Sequence, residues 1–83
     1  MRVQLKLFAT LSDFLPPGAK RNAVEMDVPD GATPHQIMDL CRVPRDRAHL
    51  VVVNGAFVPP QQRDTLHLAE GDDLALWPPV AGG

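Results

Sequence analysis

The residue types best suited to chemistry lie in the last six positions of the 83-residue sequence, Pro78–Gly83. Pro78 and Pro79 favour an extended polyproline backbone, so six residues can reach about 19 Å at about 3.1 Å each. Gly82 and Gly83 have no Cβ, so their backbone fits a channel that excludes other residues, and the carboxylate of Gly83 is sterically open. The segment is therefore either a stiff spacer that carries a reactive C-terminal carboxylate or the poorly ordered backbone that is common at domain termini.

Side chains able to act as nucleophiles or metal ligands are few and scattered. Cys41 is the single cysteine, which excludes an internal disulfide and agrees with a reducing compartment. We expect it to be a small buried residue rather than a redox centre. His35, His49 and His67 fall on three different predicted elements with no cysteine cluster beside them, so no metal site is predicted.

Composition and charge exclude several classes of function. A chain of 9.1 kDa holds one domain, with little interior for a deep substrate cleft. Eight Lys and Arg against ten Asp and Glu give a net charge of −2, so no basic field is available for nucleic acid. The longest strictly aliphatic stretch, Leu50–Val53, is far short of the roughly 20 residues of a membrane span, and no signal-peptide core follows Met1. We expect a cytoplasmic protein that is not an enzyme and binds neither nucleic acid nor membrane.

Short elements precede the tail and must position it. Five segments are alternately or continuously apolar, and each predicts a strand: Arg2–Phe8, Val24–Val28, His49–Val53, Ala56–Val58 and Asp73–Trp77. Asn54-Gly55 predicts a tight hairpin between the third and fourth strands. The first two strands are expected to pair, and Ala9–Leu15 is expected to form one helical turn between them. Leu66–Leu68 is a further short apolar piece.

One helix is predicted between the second and third strands. Thr33, Pro34 and Gln36 match the capping-box arrangement that begins a helix. The helix is expected to end near Val43-Pro44, with a buried stripe made by Ile37, Leu40 and Cys41. The element order predicts an α+β domain over residues 1–77, in which one helix lies across one face of a mixed sheet of four to five strands. Residues 78–83 are then a flexible di-glycine tail.

Two aromatic residues are predicted on the solvent side of this sheet. Phe8 continues the polar face of the first strand, and Trp77 falls opposite the inward-facing Leu74 and Leu76. Exposed aromatic residues surrounded by polar ones are a common signature of an interface.

The element order, the di-glycine and the sequence Trp77-Pro78-Pro79-Val80-Ala81-Gly82-Gly83 together resemble the MoaD/ThiS sulfur-carrier family, which has the ubiquitin-like β-grasp fold. The tail looks most like the small subunit of molybdopterin synthase. More modest matches occur at Leu5–Ala9, Val53–Gly55 and Glu70–Asp73. Ser12–Pro17 and the short helix look more like a ubiquitin-like domain attached to nuclease-type proteins.

The resemblance implies a function for the tail that needs no side chain of this protein. An E1-like adenylating enzyme of the MoeB/ThiF type would use ATP to activate the carboxylate of Gly83, with Gly82 beside it, and a sulfurtransferase would supply sulfur to make a thiocarboxylate. The carrier itself would bind no cofactor. The sulfur acceptor would be the molybdopterin synthase large subunit or another enzyme.

The resemblance also implies which residues contact these partners. The expected partner-binding residues are Phe8, Phe57, Trp77, Pro78, Pro79, Val80 and Ala81. The alternative is that the strand edges curl and that one or more of Phe8, Phe57 and Trp77 belongs to the core, Phe57 before the other two. Arg42, Arg45 and Arg47 form a basic run that is either a solvated loop or a contact for an acidic partner surface.

Several functions remain open at the level of sequence. Pro78–Ala81 favours a carrier for molybdopterin synthesis over a ThiS-like carrier for thiamine, and tungsten-cofactor synthesis or tRNA thiolation is also compatible. A ubiquitin-like modifier would pass the activated Gly83 to a lysine amine and form an isopeptide bond. A non-reactive interaction module would not need Gly82 and Gly83 at all.

Overall fold

The computed structural model describes residues 1–79. Within them the chain forms five strands, β1 (Arg2–Leu7), β2 (Ala23–Asp27), β3 (Leu50–Val53), β4 (Ala56–Phe57) and β5 (Asp73–Trp77). One α-helix, α1 (Pro34–Leu40), follows β2, and short 3₁₀ helices span Ala9–Phe14, Arg45–Arg47 and Pro60–Gln62. No helix among residues 1–79 is long and apolar enough to cross a membrane.

The strands form one mixed sheet in the order β2-β1-β5-β3-β4. β1 pairs antiparallel with β2 and parallel with β5, while β3 pairs antiparallel with both β5 and β4. Because β1 and β5 are parallel, their C-terminal ends lie at the same end of the sheet. The chain after β5 therefore leaves the domain at that end.

The core lies between α1 and one face of the sheet. The side chains that alternate inward along the two central strands are at most 1% exposed, namely Val3, Leu5, Leu7, Leu74 and Leu76. Ile37 and Met38 of α1 pack against them and are equally buried. The predicted arrangement of one helix across one face of a mixed sheet is confirmed.

The start of α1 is the predicted capping box. The backbone N–H of Gln36 donates to Thr33 Oγ1 at 3.2 Å, and the backbone N–H of Thr33 donates to Gln36 Oε1 at 3.0 Å. Pro34 occupies the first helical position, where its missing N–H costs no hydrogen bond.

The predicted stripe on α1 is wrong at one residue. Leu40 is 55% exposed, and the buried positions of the helix are Pro34, Ile37 and Met38, followed by the half-buried Cys41. These four residues also have the i, i+3, i+4 spacing, but in a frame that begins at Pro34. Leu40 lies roughly 110° away from the centre of that arc at 100° per residue, which turns its side chain outward.

The hairpin between β3 and β4 has the predicted Asn54-Gly55 turn. Both residues have positive φ, 51° and 83°, as the two-residue turn that matches strand twist requires. The Asn54 amide also joins this turn to the start of β5, because its Nδ2 donates to Asp72 Oδ1 at 2.9 Å and its Oδ1 accepts from the backbone N–H of Asp73 at 2.9 Å. These bonds fix the register of the β3-β5 pair at the end where Val53 is paired with Leu74.

Candidate docking surface and C-terminal tail

The face of the sheet opposite α1 carries a group of apolar side chains, here called the outer-face patch. Strand register places its members on one face: Leu50 is paired with Trp77, and Val52 is paired with both Ala75 and Phe57. Phe8 follows β1 directly and lies beside Trp77. The patch consists of Phe8, Leu50, Val52, Phe57, Ala75 and Trp77.

Phe8 and Trp77 form the part of the patch nearest the end of β5. Their rings stack with centroids 4.5 Å apart and an interplanar angle of 8°. The backbone N–H of Phe8 donates to the carbonyl of Leu76 at 3.1 Å, which extends the parallel ladder by one residue beyond β1. Both aromatic side chains are half-buried, because each ring covers one face of the other. An aromatic pair of this kind contributes about 0.5–1.5 kcal/mol beyond the area that it buries.

Phe57 lies at the edge of the sheet, on β4. Its side chain is 57% exposed, so it does not belong to the buried core. Phe57 and Leu40 are the large apolar side chains of residues 1–79 that are more than half exposed, and they lie on different elements, β4 and α1. An exposed phenylalanine beside other apolar side chains is available to be buried by a protein partner.

Leu50 and Val52 belong to the patch although the sequence pattern did not single them out. β3 is apolar at every position, so alternation alone does not separate its inner face from its outer face. The separation follows from pairing with β5, where Val51 opposite Leu76 faces the core and Leu50 opposite Trp77 faces outward. One signal in the sequence could have found them. Trp77 is predicted to face outward, and the residue paired with it on β3 must face the same way.

Charged side chains bound the patch on the same face of the sheet. Lys6 Nζ lies 2.8 Å from Asp73 Oδ2, and Arg2 pairs with Glu25 at 3.1 Å and Asp27 at 3.5 Å. Arg2 and Asp73 lie at the starts of β1 and β5, whereas Lys6 lies near the end of β1, where it is paired with Ala75. The aromatic pair lies beyond Lys6, at the ends of both strands, so the part of this face nearest the tail is apolar.

The root of the tail is held by the sheet. The backbone N–H of His49 donates to the carbonyl of Trp77 at 2.9 Å. Pro78 is half-buried and Pro79 is exposed. The other tail residues for which roles are predicted, Val80, Ala81, Gly82 and Gly83, lie outside the described residues, as does most of the predicted tail at 78–83.

Cys41 and the histidines have structural surroundings. The Sγ atom of Cys41 lies 3.8 Å from Met26 Sδ, and burial raises the pKa of the thiol, which makes it a weaker nucleophile at neutral pH. His35 Nδ1 is 2.7 Å from Asp64 Oδ1, and His67 Nδ1 is 2.7 Å from the carbonyl of Gly31. Among residues 1–79, no three His, Cys, Asp or Glu side chains are grouped closely enough to hold a metal ion.

Comparison with known proteins extends this picture. The profile of the ThiS family matches residues 5–83, and no curated protein matches the sequence significantly. The HVO 2177 protein of Haloferax volcanii superposes with a TM-score of 0.77 at 25% identity, covering 100% of this chain and 87% of that one. SAMP1 of the same organism, a small archaeal modifier protein, superposes with a TM-score of 0.69 at 29% identity, with 100% of both chains covered.

A third similar structure is a complex of subunits 1 and 2 of the molybdopterin-converting factor of Helicobacter pylori. It matches with a TM-score of 0.62 at 16% identity and 100% coverage of both chains, which supports the shared fold alone. The predicted ubiquitin-like β-grasp fold is thus confirmed, with five strands in the sheet. The family profile spans nearly the whole chain and includes the di-glycine, and on this evidence the protein belongs to the ThiS family of MoaD/ThiS ubiquitin-like proteins.

Proposed function

We propose that this protein is a sulfur carrier whose C-terminal Gly83 is adenylated and then converted to a thiocarboxylate. The observation that carries the proposal is the family match, which runs through Gly82 and Gly83. The outer-face patch supports it, because an apolar surface that ends at the root of the tail allows a partner to hold the body while the tail enters its active site. Such a carrier supplies a reactive end and a recognition surface, and its partners supply the catalytic groups.

The chemistry explains why a partner is needed. A carboxylate is a poor electrophile, so an E1-like enzyme of the MoeB/ThiF type would transfer AMP from ATP to Gly83 and release pyrophosphate. A persulfide on the sulfurtransferase then displaces AMP from the acyl carbon, and a thiol reductant cleaves the S–S bond of the acyl disulfide so formed to release the thiocarboxylate. The resulting thiocarboxylate is a strong nucleophile and can deliver its sulfur to an acceptor. The carrier has no cofactor in this scheme, and ATP is consumed at the activating enzyme.

Within this class, we propose molybdopterin synthesis as the pathway, with the large subunit of molybdopterin synthase as the sulfur acceptor. The Pro78–Ala81 sequence before the di-glycine supports this choice. The Helicobacter pylori complex is compatible with it, because a protein of the same fold there assembles with subunit 2. Thiamine synthesis, or another sulfur-requiring pathway, is the alternative for a ThiS-like carrier.

The second candidate is a ubiquitin-like modifier. It is favoured by the similarity to SAMP1, which covers the whole of both chains at 29% identity. A modifier begins with the same adenylation of Gly83 but ends with an isopeptide bond to a lysine amine. The two functions therefore differ in the product that accumulates and not in the first step.

The experiment that separates them follows the activated chain with time. The purified protein is incubated with an E1-like enzyme, ATP and a sulfur donor, and is resolved on gels with and without an organomercurial that retards thiocarboxylates. A retarded band that disappears when large subunit and pterin precursor are added supports the molybdopterin carrier. Heavier bands that resist reduction, and that require added target protein, support the modifier. The Gly83→Ala variant is the control that should give neither.

A further inference from the structure

A groove of about 360 Å³ opens beside the outer-face patch. One wall is formed by the 3₁₀ helix that begins at Arg45 and by His49, and the other is formed by β4 and Pro60. Leu50 and Phe57 belong both to the groove and to the patch. A partner seated on the patch would therefore also cover the groove.

Arg63 lines this groove and is a buried cation, with only 5% of its surface exposed. Its Nε donates to the carbonyl of Val58 at 3.0 Å, Nη1 to that of Ala48 at 3.0 Å, and Nη2 to that of His49 at 3.1 Å. All three acceptors are neutral. Among residues 1–79, no carboxylate oxygen lies within 4 Å of the Arg63 guanidinium.

A buried charge without a counter-ion is uncommon, because buried ions are ordinarily paired. Burial lowers the pKa of Arg63, which reflects the cost of desolvating its charge. A guanidinium carries five N–H groups, so the three carbonyls leave one N–H on each of Nη1 and Nη2. Either of these N–H groups has the chemistry to donate to a carboxylate oxygen.

The other charges at the groove do not neutralise Arg63. Arg45 is already paired with Asp39 at 2.8 Å and lies 3.7 Å from Asp64. Asp46 lines the groove but makes no ion pair within 4 Å among residues 1–79, and it is exposed. The exposed Arg47 on the same short helix adds a further positive charge nearby. Of the charged residues that line the groove, Arg45 and Arg63 are positive and Asp46 is negative. Because Arg45 is already paired with carboxylates outside the lining, Arg63 is the positive charge of the groove that has no carboxylate partner among residues 1–79.

We propose that this groove binds an aspartate or glutamate side chain of the protein partner that docks on the outer-face patch. The occupant follows from charge complementarity with Arg63 and from the continuity of the groove with the patch through Leu50 and Phe57. The proposal rests on the proposed function only for the role of the patch as a docking surface. The partner is therefore expected to present an acidic residue next to apolar residues.

The test uses the intact chain and two matched peptides, acetyl-Leu-Leu-Glu-amide and acetyl-Leu-Leu-Gln-amide. NMR spectra of the ¹⁵N-labelled protein follow the Nε–H signal of Arg63 and the backbone amides of His49 and Leu50. We expect the acidic peptide to shift these signals and to bind about fivefold more tightly at low salt. The preference should narrow but persist at about 0.5 M salt, because a buried or partly buried ion pair is screened much less than an exposed one. Because no activating enzyme is present, the outcome is independent of whether Gly83 becomes a thiocarboxylate.

Charge variants sharpen the test without disturbing the buried arginine, whose removal risks unfolding. Asp46→Asn removes the exposed carboxylate that would repel the ligand, and it should tighten binding of the acidic peptide about twofold while leaving the neutral peptide unchanged. Asp27→Asn changes the net charge equally at the opposite edge of the sheet and should leave both peptides unchanged.

Three results would overturn the proposal. The first is equal affinity for both peptides, and the second is a set of shifts that does not include Arg63. The third is an Arg63 signal that ignores the peptides but moves when the chain's own C-terminal carboxylate is converted to an amide, which would make the tail the occupant.

Discussion

Replacing Phe57 by alanine should weaken partner binding while leaving the fold intact. A phenylalanine side chain offers about 200 Å² of surface, so at 57% exposure about 110 Å² of Phe57 is open for a partner to cover. At about 25 cal/mol per Å², complete coverage is worth nearly 3 kcal/mol. The alanine side chain still covers part of this area, and interfaces are not perfectly packed. We therefore expect the binding free energy to weaken by about 1.5–2.5 kcal/mol, which raises Kd about 10- to 60-fold.

The assay compares Phe57→Ala with a matched control elsewhere on the domain. Leu40→Ala removes a side chain that is 55% exposed on the α1 side, so it tests loss of exposed apolar surface in general. Binding of both variants to an E1-like enzyme is measured by calorimetry, and the KM for carrier is measured by ATP-pyrophosphate exchange. Urea unfolding of each variant should remain within about 1 kcal/mol of wild type, because neither side chain is in the core.

The reasoning would be refuted if Phe57→Ala and Leu40→Ala changed Kd and KM equally, or if neither changed them. Either result would mean that the partner does not cover the outer-face patch at β4. A rise in KM for Phe57→Ala with an unchanged kcat is the expected pattern, since a docking contact acts equally before and during adenylation.

Three further predictions concern stability, each measured by urea unfolding. Arg63→Met should cost about 3 kcal/mol, because three carbonyls lose their donor and the buried ones are left without a partner. Thr33→Ala should cost about 1 kcal/mol by removing the capping box of a seven-residue helix. The hydrogen bond from Arg45 lowers the pKa of Asp39 below its ordinary 3.8. The ion pair therefore stabilises the fold fully at pH values above 3.8, and this stabilisation is lost as the pH falls through the lowered pKa. Asp39→Asn should therefore be slightly less stable than wild type at pH 7, and the difference should vanish in strong acid; a difference that grew with acidity would contradict this sign.

The elements of the fold were predictable because local chemistry and periodicity agreed. Thr33 and Gln36 specify where α1 begins, and Asn54-Gly55 specifies a turn whose positive φ angles few other pairs adopt. Alternation also placed Phe8 and Trp77 on the outer face. These signals are local, and they need no knowledge of which strands are neighbours.

Features that depend on pairing or packing were not predictable in the same way. Leu40 was placed in the buried stripe because apolar spacing alone does not fix the rotation of a helix only two turns long. Leu50 and Val52 were missed because β3 is apolar on both faces and only its register with β5 separates them. The buried position of Arg63 depends on carbonyls of Ala48, His49 and Val58, which lie 5 to 15 residues away in the sequence.

The most direct test of the central claim is the intact mass of the protein after incubation with an E1-like enzyme, ATP and a sulfur donor. We predict a gain equal to replacement of one oxygen atom by sulfur, located at Gly83 by fragmentation of the intact chain. The gain should be absent without ATP and absent from a chain that lacks Gly83. An unchanged mass with activating enzymes that load other members of the family would contradict the carrier function and favour a non-reactive interaction module.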